Sequence, residues 1–298
     1  VGTEAPTVPH LALDLDVADC VSLAASVTLQ GDGQLVDHDL LRTIELNASA
    51  HVVIEQLARP VPLRDLMASV EQTAGWTPAE AADAVWTVVA ALDEQVGLKV
   101  RRARGAWRQP LVTALRLIDV IRFRPRRRPA RRAPATVAGL GQTVLRQGMG
   151  PLAMLAAVAG VLYLAMAIAE APNRSVALVG WLPVIGGAHL LVLYGHELGH
   201  LSAMRAVGAG PAILAHRGLR IGLVFAGTPT SRGLAFIAAA GPLAALATGL
   251  VLSLAARSLS DPPWSALRWS ALLGVGHLGA LGPWAADGRL LRRAWGAR

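Results

Sequence analysis

Cysteine is nearly absent from this chain, acidic residues are scarce after residue 132, and four long stretches carry no charge at all. Each shortage excludes something. The lone Cys20 rules out an internal disulfide and any cysteine-built zinc site. After residue 132 the only acids are Glu170, Glu197, Asp261 and Asp287, so any catalytic or metal-binding carboxylate there comes from this short set. Residues 147–169, 175–195, 233–256 and 269–286 contain no charged side chain, and each is 18 to 24 residues long. That is near the ~20 residues needed to span the hydrocarbon of a bilayer. Val1 to His10 lack a basic start followed by an apolar run, so no secretory signal is expected there.

With 298 residues there is room for two or three domains. The net charge of +8 conceals a division: residues 1–98 carry −12, residues 99–132 carry +12, and residues 133–298 carry +8. A basic total points towards nucleic acid. The only small soluble domain is the acidic one, which phosphate would repel, so no nucleic-acid partner is expected. A winged-helix transcription regulator is disfavoured on the same ground.

The head, residues 1–104, reads as small α+β. Leu11 to Val17 alternate apolar and acidic residues, as a half-buried strand does. Gln30-Gly31-Asp32-Gly33-Gln34 is a turn signal, and Thr43-Ile44-Glu45-Leu46 reads as a further strand. Asn47 is an N-cap for a helix from Ala48 to about Leu57, and Pro60 to Pro62 break the chain. A second helix runs to about Ala74. Thr77-Pro78-Ala79-Glu80 starts a third, whose Ala81, Val85, Val88, Val89 and Leu92 form an apolar stripe. Strands followed by three short helices predict a winged-helix-like topology.

Residues 105–146 form a basic neck. Trp107, Leu111, Leu115, Ile118 and Ile121 recur at near-helical spacing with arginines between them, which predicts an amphipathic helix on anionic lipid followed by a Pro-Arg linker. Residues 124–136 read equally as a solvated tether. The body, residues 147–298, is expected to be a helical membrane domain of about four spans. Arginine placement puts the neck, the loop with Arg205, Arg217, Arg220 and Arg232, and the tail with Arg289, Arg292 and Arg293 on the cytoplasmic side of the cell membrane. Both ends then face the cytoplasm. Gly208 to Arg232 suit a re-entrant strand or hairpin whose edge is able to hold an extended substrate.

Within the second apolar stretch stands His196-Glu197-Leu198-Gly199-His200. On a helix the two histidines lie one turn apart on one face, the spacing that lets two imidazoles share a zinc ion. Glu197 is placed to take a proton from a water on that metal. A bare HExxH occurs by chance, but an ionisable residue in an apolar span is costly and demands a reason. A hydrolytic zinc site needs a third protein ligand. Glu170 and Asp261 lie at the outer ends of spans, which leaves Asp287, on the same side as His200, as the natural third ligand. The other reading of Asp287, a helix-terminal acid paired with a nearby arginine, stays open. His189 and His277 are candidates for supporting roles around the ligands, or simply polar residues packed between spans. His10, His38, His51 and His216 receive no role.

Two resemblances add to this reading. The head resembles the PqqD-like domain, which binds leader peptides of ribosomally made, modified peptides, through Ile44-Glu45-Leu46-Asn47-Ala48-Ser49-Ala50, Leu63-Arg64-Asp65-Leu66 and Val96-Gly97-Leu98. That likeness implies a leader added as a strand along Thr43, Ile44, Glu45 and Leu46, with Val85 and Val89 walling the site. The body resembles the site-2 protease family of intramembrane zinc metalloproteases through His196 to His200, Arg232 with Ala240-Gly241-Pro242-Leu243-Ala244, and Pro283 to Gly288. It implies Zn2+ on His196, His200 and Asp287, with Glu197 as general base. One departure is Gly279, where that family usually has an asparagine that helps to hold substrate.

Together these predict a membrane zinc endopeptidase that removes the leader of a modified precursor peptide, with the lipid bilayer and peptide-modifying enzymes as partners. Two other outcomes remain open: a regulatory protease that cuts a membrane-bound regulator, and a non-catalytic docking platform for a peptide-modifying complex.

Overall fold

The computed structural model describes residues 15, 17–31, 33–101, 129–169, 179–217, 220–261 and 263–296. The strand expected over 11–17 and the amphipathic helix expected over 107–121 fall largely or wholly outside these residues. The fold is mostly helical with small sheets. It divides into two compact units, Val1–Arg132 with Ala215–Gly218, and Ala133–Leu214 with Leu219–Arg298.

In the first unit the elements run β1 (Cys20–Leu23), β2 (Val27–Leu29), β3 (Gln34–Asp37), β4 (Arg42–Glu45), α1 (Ala48–Gln56), β5 (Val61–Pro62), α2 (Leu63–Ala74), α3 (Pro78–Glu94) and β6 (Leu98–Arg101). They form two antiparallel sheets, ordered β5-β1-β6 and β2-β3-β4. The helix starts are those the capping signals predict. Asn47 Oδ1 accepts the Ala50 N–H at 2.8 Å, and Thr77 and Glu80 complete a capping box around Pro78. Gly75 ends α2 in the left-handed region, at φ +67°. Pro60 to Pro62, expected only as a break, instead carries β5, an edge strand where a proline's missing N–H is tolerated. Val21, Leu35, Ile54, Leu57, Leu66, Val85 and Val89 sit in the core that the sheets and helices close.

The end of the neck is tied into this unit rather than left as a solvated tether. The Ala130 N–H donates to Asp93 at 2.6 Å. Arg132 forks onto Asp37 at 2.9 and 2.5 Å, and also donates to Ser26, Asp39 and the Val96 carbonyl. Val96 has φ +57°, a left-handed conformation costly for a β-branched residue. Arg132 on the Val96 carbonyl and Arg42 on the Gln95 carbonyl clamp that turn. Burial alone would raise the Asp37 carboxyl. The hydrogen bond and charge of Arg132, the Leu40 N–H and Arg42 hold it below the ordinary carboxylate range instead.

The second unit contains α4 (Val137–Ile168), α5 (Trp181–Ala206), the first half of β8 (Ala212–Arg217), β9 (Arg220–Phe225), α6 (Ser231–Ala255), α7 (Ser270–His277) and α8 (Ala286–Gly296). With β7 (Arg131–Pro134) the two strands form a sheet ordered β7-β8-β9. The segment from Gly208 to Arg232 thus holds the expected pair of strands. Its Leu214, Ile221 and Leu223 pack on Leu140 and Val144 of α4 and on Leu190, Tyr194 and Leu198 of α5.

Two of the described helices, α4 and α6 continued to Ser258, are long and apolar enough to cross a membrane. The first begins at Val137, ten residues before the uncharged stretch, behind a Thr136 cap. The fourth uncharged stretch does not form one long α-helix. Helical backbone runs from Trp264 to Leu281 in three pieces, with 3₁₀ turns before Ser270 and after His277. Gly274, Gly276, Gly279 and Gly282 lower helix propensity throughout that stretch.

Candidate metal centre

α5 carries His196, Glu197 and His200 on its inward side, all three buried. They can lie so deep because the neighbouring helix offers almost no side chain there. A methyl group at Gly199 would overlap the Ala240 carbonyl and Ala244, and one at Gly195 would overlap Thr248. A Cβ at Gly241 would fall within the His200 ring. Small residues on both helices therefore bring the two backbones close, and Gly241 forms the cradle for the second histidine. This gives the Ala240-Gly241-Pro242 run a physical reason.

Asp287 arrives from the first turn of α8, some ninety residues further along the chain. Its Oδ2 lies 3.3 Å from His196 Nε2 and 3.4 Å from His200 Nε2, and the two Nε2 atoms are 3.2 Å apart. Donors placed tetrahedrally at 2.0–2.1 Å from a zinc ion stand roughly 3.3–3.4 Å from one another. The three atoms thus form one face of a tetrahedron of the right size, leaving a fourth direction for a water or substrate oxygen. Among the described residues they are the only three such groups that converge in this way.

The tautomers suit a cation. His200 Nδ1–H donates to the Ile237 carbonyl at 2.7 Å, which leaves its Nε2 lone pair facing Asp287. His196 turns its Nε2 to the same point and its Nδ1 towards His277 Nδ1, at 3.2 Å. Glu197 Oε2 is buried and has no hydrogen-bond partner, so the carboxylate is not consumed by a structural contact. The loop before α8 is held from behind. Arg289 donates to the Trp284 carbonyl and Arg292 to the Pro283 carbonyl, at 2.5 and 2.9 Å. Gly288 permits the close return, since a Cβ there would overlap the Leu281 and Gly282 carbonyls.

Of the residues the sequence singles out, the structure gathers His196, His200 and Asp287, sets Glu197 beside them and places His277 against His196. The His189 ring is 5.8 Å from that of His277. Asp287 meets the histidines, while the arginines nearest in sequence take carbonyls, so it is not the arginine-paired terminal acid. In the first unit, Thr43, Ile44 and Glu45 lie on β4, the end strand of its sheet, with Leu46 just after it. Thr43 and Glu45 are exposed, and Ile44 and Leu46 lean on the core. Val85 and Val89 have 0% exposure, so the expected wall is corrected: both pack the core and neither lines a surface. The Ile237 carbonyl and the two clamping arginines were not foreseen as parts of the site, and Gly241 was singled out only within the Ala240-Gly241-Pro242-Leu243-Ala244 run, without its place against His200. No family model, curated protein or solved structure matches the chain.

Proposed function

We propose that this chain is a membrane-embedded zinc endopeptidase that cuts a peptide recruited by its N-terminal unit. The observation that carries the reading is the convergence of His196 Nε2, His200 Nε2 and Asp287 Oδ2 at tetrahedral spacing, next to a buried carboxylate with a free oxygen. His196, His200 and Asp287 would hold zinc there, and the ion would supply Lewis acidity towards a water and a peptide carbonyl. Glu197 accepts the proton from the attacking water and returns it to the leaving amine. Ile237 fixes the orientation of His200, and the Arg289 and Arg292 clamps fix the loop that delivers Asp287.

The membrane setting draws support from the outer surface of the second unit. Met154, Val161, Leu164 and Ile168 of α4, and Leu243 and Val251 of α6, are exposed, a surface that lipid tolerates and water does not. In this reading α4, α5, α6 and the mixed helix from Trp264 to Leu281 are the four crossings. The last rises roughly 30 Å at α and 3₁₀ pitch, enough for the hydrocarbon. Exposed Trp264 and Trp269 at one end, and Trp284 and Trp295 after the other, suit the two interfaces. Both termini are cytoplasmic and the site opens on that side of the cell membrane.

The first unit is a winged-helix-like recognition domain of the PqqD-like kind. It takes the substrate, the leader of a ribosomally made modified peptide, as an added strand on β4. Side-chain selection falls to the exposed Thr43 and Glu45, because Val85 and Val89 are buried. The tether raises the local concentration of bound peptide at the protease.

The test is cleavage of leader-bearing precursor peptides by the full chain in liposomes. The wild type cuts, and Glu197→Gln loses 10²–10⁴-fold in rate while retaining zinc. A variant that supports precursor processing as well as the wild type would make the chain a docking platform instead.

A further inference from the structure

We infer that His277 is a positioning residue for the cation site, accepting the Nδ1–H of His196 and so holding His196 Nε2 towards Asp287 and His200. The inference rests on the zinc reading above and extends it to a residue outside the ligand set.

Two imidazole nitrogens 3.2 Å apart, as His196 Nδ1 and His277 Nδ1 are, make a hydrogen bond only if one carries the proton and the other a lone pair. The other nitrogen of His196 decides which. Its Nε2 faces the Asp287 carboxylate and the His200 Nε2, where a cation needs a lone pair, so the proton of a neutral ring sits on Nδ1. His277 Nδ1 is then the acceptor, and its own proton lies on Nε2.

Metal-bound histidines ordinarily donate the N–H of their second ring nitrogen to a carboxylate, a carbonyl or a water. His200 follows that rule through Ile237. For His196 the side chain in that place is the imidazole of His277, its ring 4.9 Å away and inclined by 49°. His277 is the last residue of α7, directly before the 3₁₀ turn that starts at Leu278, and from there its ring reaches His196. The exposed His189 lies behind it in a row of imidazoles. Among the described residues the group of three donors placed to share a cation is His196, His200 and Asp287, and His277 and His189 stand outside it.

The experiment is zinc competition against a chromophoric chelator, using the full chain in detergent. Wild type, His277→Ala and His277→Asn are compared. Asparagine puts an amide oxygen close to the place of Nδ1 and accepts the same proton. His277→Ala should hold zinc 10–100-fold more weakly, and His277→Asn should recover to within a few-fold of wild type. Wild-type zinc affinity in His277→Ala overturns the inference. So does equal weakness in both variants, which would mean that the ring only fills space. If His277→Ala does not fold, His277→Asn decides alone: tight zinc supports the role and weak zinc ends it. A wild type that binds no zinc refutes the zinc reading itself, a result distinct from any difference between variants.

Discussion

Glu197 and Gly241 show how differently two residues of one site can be read. The first is legible from type and spacing, because a carboxylate between two histidines one turn apart has few other uses in an apolar helix. Gly241 matters through what it lacks, and only the neighbouring helix reveals it. A side chain there must displace the His200 ring. Gly241→Ala should therefore weaken zinc binding by at least tenfold while leaving the first unit folded, as chelator competition and circular dichroism would show. Unchanged zinc affinity would mean that the His200 ring moves freely, contrary to its bond with the Ile237 carbonyl.

Among the elements, helix starts were the most legible and strands the least. Asn47 and the Thr77-Pro78-Ala79-Glu80 run mark α1 and α3 because capping is local chemistry. β1, β2 and β3 are three or four residues long, too short for alternation to stand out, and β5 hides in a proline pair. The fourth uncharged stretch was legible as apolar but not as three helical pieces, since 3₁₀ and α pitch share one composition. The Arg132 latch joins residues 95 apart in the chain, a pairing beyond local pattern. It makes a prediction in acid. The Asp37 carboxyl is held below its ordinary value, so its contribution is full above about pH 4 and fades as pH falls through the lowered value. Removing the guanidinium by Arg132→Ala should cost about 2–3 kcal/mol at neutral pH, since Arg42 still partners the buried carboxylate. Thermal melts of the full chain would show the deficit shrinking below pH 4. A deficit independent of pH would place the loss in the Val96 turn instead.

At the scale of the molecule, the chain divides into two compact units, and the last residues of the basic neck, through Ala130 on Asp93, belong to the first. What the whole chain is for depends on whether donors from two distant segments share one ion. X-ray absorption at the zinc edge on the purified full chain, with metal content measured beside it, tests this most directly. The account predicts one zinc per chain in a nitrogen and oxygen shell at roughly 2.0–2.1 Å, with metal content falling steeply in Asp287→Ala. A protein that purifies without zinc and takes up none, or one whose zinc is indifferent to that substitution, would contradict it.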